Sequence, residues 1–151
     1  MNSDTQSLLE RILQALPMPC QQRLLVMGWE ELPHARDPAR FLLRAVGAAQ
    51  PVHLIDLELE PARWHGRHVV THGEIQWPGR MNIPPCVGKL RLDTSLLTPA
   101  QLLAAQNLSG RSRLVGVLMG TQDLAESRPT SDAGPLFVAC LAVVAIGSDA
   151  P

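Results

Sequence analysis

The spacing of apolar residues along this chain changes near residue 50. Before that point, apolar side chains recur every three to four residues, as on one face of a helix, and the clearest set is Leu8, Leu9, Ile12, Leu13 and Leu16. After that point, apolar and polar residues alternate over short segments, as in strands with one buried face. The pattern predicts an N-terminal helical appendage over residues 1–50 and a mainly β domain over residues 51–147.

Three short helices are expected in the appendage, over about residues 3–16, 20–27 and 38–46. Such a set can form a helix-turn-helix DNA reader, with Arg40 and Arg44 one turn apart on the last helix. The long loop before the third helix does not suit the tight turn that such a reader needs. We therefore interpret the appendage as a packing or partner-docking element.

The segment 51–77 is the centre of the β domain. Residues 52–60 (VHLIDLELE) predict a first strand, and residues 67–77 (RHVVTHGEIQW) predict a second strand or a continuation of the first beyond a turn at 61–66. Alternation in the later segment places Val69, Thr71 and Ile75 on one face and His68, His72, Glu74 and Gln76 on the other. Gly73, inside that segment, indicates a sharp bend or bulge.

Further elements complete the β domain. Residues 86–93 predict a strand with Leu90 and Leu92 inward and Lys89 and Arg91 outward. A helix capped by Thr98 follows, and then come two strands, over about residues 112–120 and 136–147. Three strands, a helix and two strands is the order of a five-stranded Greek-key barrel of the OB type. The predicted fold class is therefore α+β, mainly β.

One short motif resembles a known family. Residues 61–69 read Pro-x-x-Trp-x-Gly-Arg-x-Val, and Leu114–Val117 and Leu136–Val138 follow as apolar strand segments. Over about residues 52–147 the chain resembles small bacterial OB-fold domains of the nucleic-acid-binding type. Domains with this resemblance bind single strands, oligosaccharides or other proteins, and the fold alone does not choose among these ligands.

Charge is distributed unevenly, although the net charge is only -1. Residues 63–113 hold seven basic side chains against two acidic ones, a balance of +5, and His65, His68 and His72 can add positive charge below neutral pH. An alternative interpretation is a solvated face whose counter-charges come from Asp56, Glu58 and Glu60.

Single-strand binding on such a barrel needs a basic groove for phosphates and flat side chains on which bases can stack. The cationic candidates are Arg67, Arg80, Lys89, Arg91, Arg111 and Arg113. The flat candidates are Trp64, Trp77, His68 and His72, although Trp64 can equally be a core plug. With so few aromatic residues, affinity would depend on salt-sensitive phosphate contacts.

Other site classes find little support in the sequence. The three cysteines are widely spaced and form no metal-binding pair motif. His68 and His72 lie about 13 Å apart along a strand, too far to share one metal ion. No nucleophile with a partner, carboxylate pair or phosphate-cradling glycine loop is present, so neither an enzyme nor a cofactor is predicted.

The sequence therefore predicts a non-enzymatic, cytoplasmic module that binds single-stranded nucleic acid. Cytoplasmic location is expected because the N-terminus is acidic and no apolar run is long enough to cross a bilayer. The alternative is a protein-interaction or structural module of a larger assembly, or a homo-oligomer, that docks through the N-terminal helices or a barrel edge. Its support is the 46% hydrophobic content and the near-zero net charge.

Overall fold

The computed structural model describes residues 3–28, 38–77, 84–108, 110–120 and 137–148. Six helices occur in this part of the chain: α1 (Ser3–Ala15), α2 (Met18–Met27), α3 (Pro38–Val46), α4 (Leu54–Leu59), α5 (Pro61–Trp64) and α6 (Pro99–Gln106). Its six strands are β1 (Gln50–Pro51), β2 (His68–Gln76), β3 (Cys86–Val87), β4 (Leu90–Asp93), β5 (Arg111–Met119) and β6 (Ala139–Ser148). None of the described helices combines the length and apolar character that crossing a bilayer requires.

The predicted strand over residues 52–60 is wrong. After the two-residue strand β1, the chain forms the short helices α4 and α5. Leu57 is fully buried, whereas Ile55 and Leu59 face solvent on the other side of α4. The alternation of Leu and Glu resembles a strand, but both residues are strong helix formers, and Pro61 starts α5 at its first helical position.

The predicted strand over residues 67–77 is confirmed as β2. Val69, Thr71 and Ile75 are buried, whereas Glu74 and Gln76 on the opposite face are exposed. Gly73 has a packing role, because a Cβ at this position would collide with the Val87 side chain of β3.

Residues 86–93 do not form one strand but a tight hairpin. Gly88 has φ of 56°, a left-handed backbone that favours glycine, and it turns β3 back onto β4. Leu90 and Leu92 are buried as predicted. Three barrel strands, β2, β3 and β4, therefore precede α6, as predicted. Two of them come from the hairpin, and none comes from residues 52–60.

Strands β2 to β6 close into a five-stranded mixed barrel. The pairing order is β2–β3–β4–β6–β5, and β5 pairs with β2 again. Within the barrel only β4 and β6 run parallel, while β1 adds a short parallel pairing outside it. The helix α6 lies between β4 and β5 in the chain and begins with a Thr98–Gln101 capping box.

Two apolar clusters hold the molecule together. The first fills the barrel, where Leu57 and Trp64 of α4 and α5 meet inward side chains such as Leu118. The second lies outside the barrel, where α1, α2 and α3 bury residues such as Leu9, Leu24 and Leu42 against the outer faces of β5 and β6. Both faces of β6 are therefore buried over residues 139–144.

Candidate functional site

A polar face of the barrel remains outside the helical layer. It lies on the outward side of β4, β3, the end of β2 and the start of β5, which are neighbours in the barrel. We call it the polar arc, and it consists of Cys86, Arg91, Asp93, His72, Glu74, Gln76, Arg111 and Arg113. The two arginines of β5 and the two last polar side chains of β2 are exposed, whereas the remaining members are half-buried.

Strand register brings three of the predicted cations onto this arc. Arg113 lies opposite His72 and Arg111 lies opposite Glu74. Arg91 on β4 lies opposite Cys86 on β3. Neighbouring strands are about 4.8 Å apart, so the backbone of Arg91 lies roughly 14 Å across the sheet from β5. Along the strands, Arg91 is level with Gln76 and Arg113 is level with His72, an offset of roughly 13 Å.

Arg67 and Lys89, the other two predicted cations that the structure describes, are not members of the polar arc. Arg67 precedes β2, and its carbonyl accepts a hydrogen bond from the Leu118 amide at 3.1 Å. It is five residues from His72, roughly 16 Å along the strand. Lys89 is in the β3–β4 turn, where its backbone N–H donates to Glu58 Oε2 at 2.8 Å. Arg80 lies outside the described residues.

Only one of the four predicted flat side chains reaches the arc. Trp64 is 8% exposed and belongs to the barrel interior, which agrees with its interpretation as a core plug. No base can stack on its face there. The Arg63 guanidinium lies 5.1 Å from its ring centre. Trp77 is partly buried against the same cluster. His72 is therefore the flat side chain that shares the arc with the arginines.

His68 contributes to the joint between the helices and the barrel. Its Nδ1 lies 2.8 Å from the carbonyl oxygen of Gly47, which follows α3. Burial lowers the pKa of His68 below its ordinary value of 6.5, and the hydrogen bond to Gly47 acts in the opposite direction. The neutral ring with a proton on Nδ1 can donate to this carbonyl.

Carboxylates reduce the positive charge around these cations. Glu74 and Asp93 lie on the arc itself, so three arginines face two carboxylates. Elsewhere, Glu60 pairs with Arg63 at 3.2 Å, and Glu58 binds the β3–β4 turn that carries Lys89. The first contact pairs two opposite charges, whereas the second reaches the Lys89 backbone and not its ammonium group.

The two cysteines beside Arg91 are poor nucleophiles. Burial raises the pKa of Cys140 to about 11, and the nearby Arg91 guanidinium acts in the opposite direction. Burial also raises the pKa of Cys86. Both thiols thus remain protonated at neutral pH. Among the described residues, no group of three His, Cys, Asp or Glu side chains is placed to hold a metal ion.

Sequence reasoning missed two exposed apolar surfaces. Met18, Leu25 and Val26 on α2 are 62%, 63% and 88% exposed. Ile55 and Leu59 on α4 are 60% and 72% exposed. A helical-wheel reading of α2 could have found the first surface, because the helix carries a single charged residue. The second was hidden by the interpretation of residues 52–60 as a strand.

Comparison of the chain with family models, curated proteins and solved structures finds no match.

Proposed function

We propose that this chain is an OB-type barrel module that binds single-stranded nucleic acid through the polar arc. Three features support the OB type: the strand order β2–β3–β4–β6–β5, the parallel pair β4–β6 and the position of α6 between the third and fourth barrel strands. A Greek-key barrel of five strands with these features is the OB architecture.

The place of the arc on the barrel supports its use as a ligand face. In OB-type barrels, ligands bind across the second and third strands, between the loops that follow the first and fourth strands. Here those strands are β3 and β4, which carry Cys86 and Arg91 outward. The corresponding connections, 77–85 and 120–138, span 9 and 19 residues, whereas the β3–β4 turn spans two.

The observation that carries the proposal is that Arg111 and Arg113 lie beside His72 on the polar arc, with Arg91 farther along the same outward face. Guanidinium groups bind phosphate with fixed geometry, and an imidazole can stack on a base. Each neutralised phosphate contributes about -0.7 to the slope of log affinity against log salt for single strands. Three arginines therefore predict a slope of about -2, reduced by the nearby carboxylates.

Fluorescence anisotropy with oligo(dT) of about 20 nucleotides, at ~50 mM and ~200 mM salt, tests this function. Replacing both Arg111 and Arg113 by Gln should weaken binding about tenfold and make the salt slope less negative by about 1.4. Glu74→Gln should strengthen binding, because it removes a carboxylate opposite Arg111.

Matched controls lie outside the polar arc. Arg67→Gln, before β2, and Arg44→Gln, on α3, remove the same charge from exposed positions, and they should change affinity less than twofold. If the two controls weaken binding as much as the β5 pair does, net charge and not the arc is responsible. Absence of binding at ~50 mM salt would refute the function.

A second candidate function, docking of a protein, is favoured by the apolar surface of α2. Large exposed patches of this kind mark interaction sites in soluble proteins. A photo-reactive amino acid in place of Val26 should form a covalent adduct with the partner in cells, whereas the same group at Gln106, also exposed, should not. Equal adduct formation at both positions would count against docking through α2.

A further inference from the structure

Four consecutive residues, 65–68, join the barrel to the helical layer. Gly66 donates its N–H to the Leu118 carbonyl at 2.7 Å, and Leu118 donates its N–H to the Arg67 carbonyl at 3.1 Å. A Cβ on Gly66 would collide with the carbonyl of Ala15, the last residue of α1. The segment thus contacts both α1 and the end of β5, and it begins and ends with a histidine.

His65 accepts a hydrogen bond that only a neutral ring can accept. The backbone N–H of Gly120, the first residue after β5, donates to His65 Nδ1 at 2.7 Å. A backbone N–H is a donor only, so Nδ1 must keep its lone pair, and the proton of the neutral ring lies on Nε2. Protonation of Nδ1 would set two donors against each other and break this contact.

His68 has the opposite tautomer, and its ring is neutral too. Its Nδ1 lies 2.8 Å from the Gly47 carbonyl oxygen, which can only accept, so the proton lies on Nδ1. Its Nε2 is buried and has no hydrogen-bond partner in the described part of the chain. A second proton there would be a buried donor without an acceptor, which is unfavourable. Burial accordingly lowers the pKa of His68, while the bond to Gly47 acts in the opposite direction.

The surroundings provide little that could stabilise a protonated imidazole. The segment itself, α1, α3, α5 and β6 carry these charged or titratable side chains around the two rings: Arg11, Arg44, Glu60, Arg63, Arg67 and Cys140. Glu60 is the one carboxylate of this set, and it pairs with Arg63 at 3.2 Å. Cys140 lies opposite Met119 of β5, and burial raises its pKa to about 11, so it stays uncharged. The set therefore offers neither ring an unshared counter-charge.

We propose that His65 and His68 form a pH-sensitive switch, which holds the start of β2 to the end of β5 and to α3 while both rings are neutral, and which opens when they take up protons. Histidine is the side chain whose charge ordinarily changes between about pH 5 and 8. Two polar contacts are small beside the apolar layer in which Leu9, Leu24 and Leu42 are fully buried. Opening is therefore local, and it does not depend on any ligand of the polar arc.

Nitrogen-15 NMR of the imidazole rings tests the neutral state without any substitution. At about pH 7.5 the two rings should show opposite tautomers, His65 with its proton on Nε2 and His68 with its proton on Nδ1. The same tautomer in both rings, or a charged ring at either position, would overturn the proposal.

Hydrogen exchange of the Gly120 amide tests the opening. Its protection factor, which corrects for the pH dependence of the chemical exchange step, should fall at least about tenfold between about pH 7.5 and pH 5. The amide of Leu114, in the middle of β5, should keep its protection factor. An unchanged value at Gly120 would refute the switch. An equal fall at Leu114 would also refute it, because the whole barrel would then be unfolding.

Substitution of His65 separates the charge of the ring from its contact. In His65→Asn, the amide oxygen can accept the Gly120 N–H but takes up no proton, so the protection factor should change less than about twofold over the same range. His53→Asn is the matched control, because His53 is exposed and makes no side-chain capping bond, and this variant should behave as the wild type does. A fall in His65→Asn as large as in the wild type would contradict the role of His65.

The carbonyl carbon of Gly47 provides the corresponding readout for His68. Its carbon-13 shift should follow the protonation of His68 in the wild type, because the ring must move to bring Nε2 to water. In His68→Asn, whose side-chain amide can still donate to this carbonyl, the shift should lose its pH dependence. A pH dependence that persists in His68→Asn would contradict the His68 half of the switch.

Discussion

The two ends of β5 have different surroundings. At its start, exposed Arg111 and Arg113 alternate with buried residues, as in a strand with one solvated face. From Leu114 to Met119 every residue is buried. The antiparallel partner β6 shows the reverse order along the chain, buried over 139–144 and half-buried or exposed over 145–148.

The difference arises because α1, α2 and α3 cover only one end of the sheet surface that β5 and β6 form. Where they pack, outward residues such as Val117 and Cys140 belong to a second core. Beyond these helices, the outward side chains of β5 are Arg111 and Arg113, which belong to the polar arc. The helices thus bury the outward face of β5 from Val115 onward and leave Arg111 and Arg113 exposed.

The largest expected effect comes from truncating either core. Leu118→Ala in the barrel interior and Leu9→Ala in the helical layer should each lower the free energy of unfolding by about 2–5 kcal/mol, because both side chains are fully buried. Urea unfolding, followed by tryptophan fluorescence and by far-ultraviolet circular dichroism, measures both losses.

The two probes also test whether the ends of β5 unfold together. Because the clusters share the β5–β6 wall, the two signals should give one midpoint in both variants. An early circular dichroism transition in Leu9→Ala, with the fluorescence transition unchanged, would show instead that the helices detach from an independent barrel.

The next effect contrasts two thiols on either side of Arg91. Cys140 lies under the helices with its pKa raised to about 11, whereas Cys86 lies on the open arc and is half-buried. In variants that retain one cysteine each, Cys140 should react with a disulfide reagent near pH 8 at least about a hundredfold more slowly. Comparable rates would mean that the helical layer opens readily.

A smaller effect isolates the contact between α1 and the barrel. Gly66 has φ of 77°, and a Cβ there would collide with the Ala15 carbonyl of α1. Gly47 has φ of 75° with open space around it. Gly47→Ala should cost about 1–2 kcal/mol from backbone strain alone, and Gly66→Ala about 1–3 kcal/mol more from the collision. Equal losses in thermal unfolding would contradict close docking.

The smallest effect is a pH dependence at the joint between α3 and β2. Because the pKa of His68 is lowered in the folded state, the unfolded chain binds this proton first as pH falls below 6.5. Stability present above pH 6.5 is then lost as pH falls through the folded-state pKa. His68→Asn should flatten this part of the stability curve, and an unchanged slope between about pH 6.5 and 5 would exclude His68 as its source.

Several elements were predictable because their signals are local. The spacing of Leu8, Leu9 and Ile12 predicted α1, the alternation in β2 predicted its inward face, and Thr98 marked the start of α6. Residues 52–60 were mispredicted, because alternating Leu and Glu satisfies a strand pattern while both residues favour a helix. Residues 54–59 form a helix in which Leu57 fills the end of the barrel. This is a tertiary contact that the local sequence does not reveal.

For the candidate site too, some features follow from the local sequence and others from the tertiary structure. The sequence alone determined which residues are cationic, that strands dominate after residue 50, and that one face of β2 is polar. Only the tertiary structure decided that Arg91, Arg111 and Arg113 share an arc while Arg67 and Lys89 do not, and that Trp64 lies in the core. Register between strands far apart in the chain sets these neighbours, and it depends on closing the whole barrel.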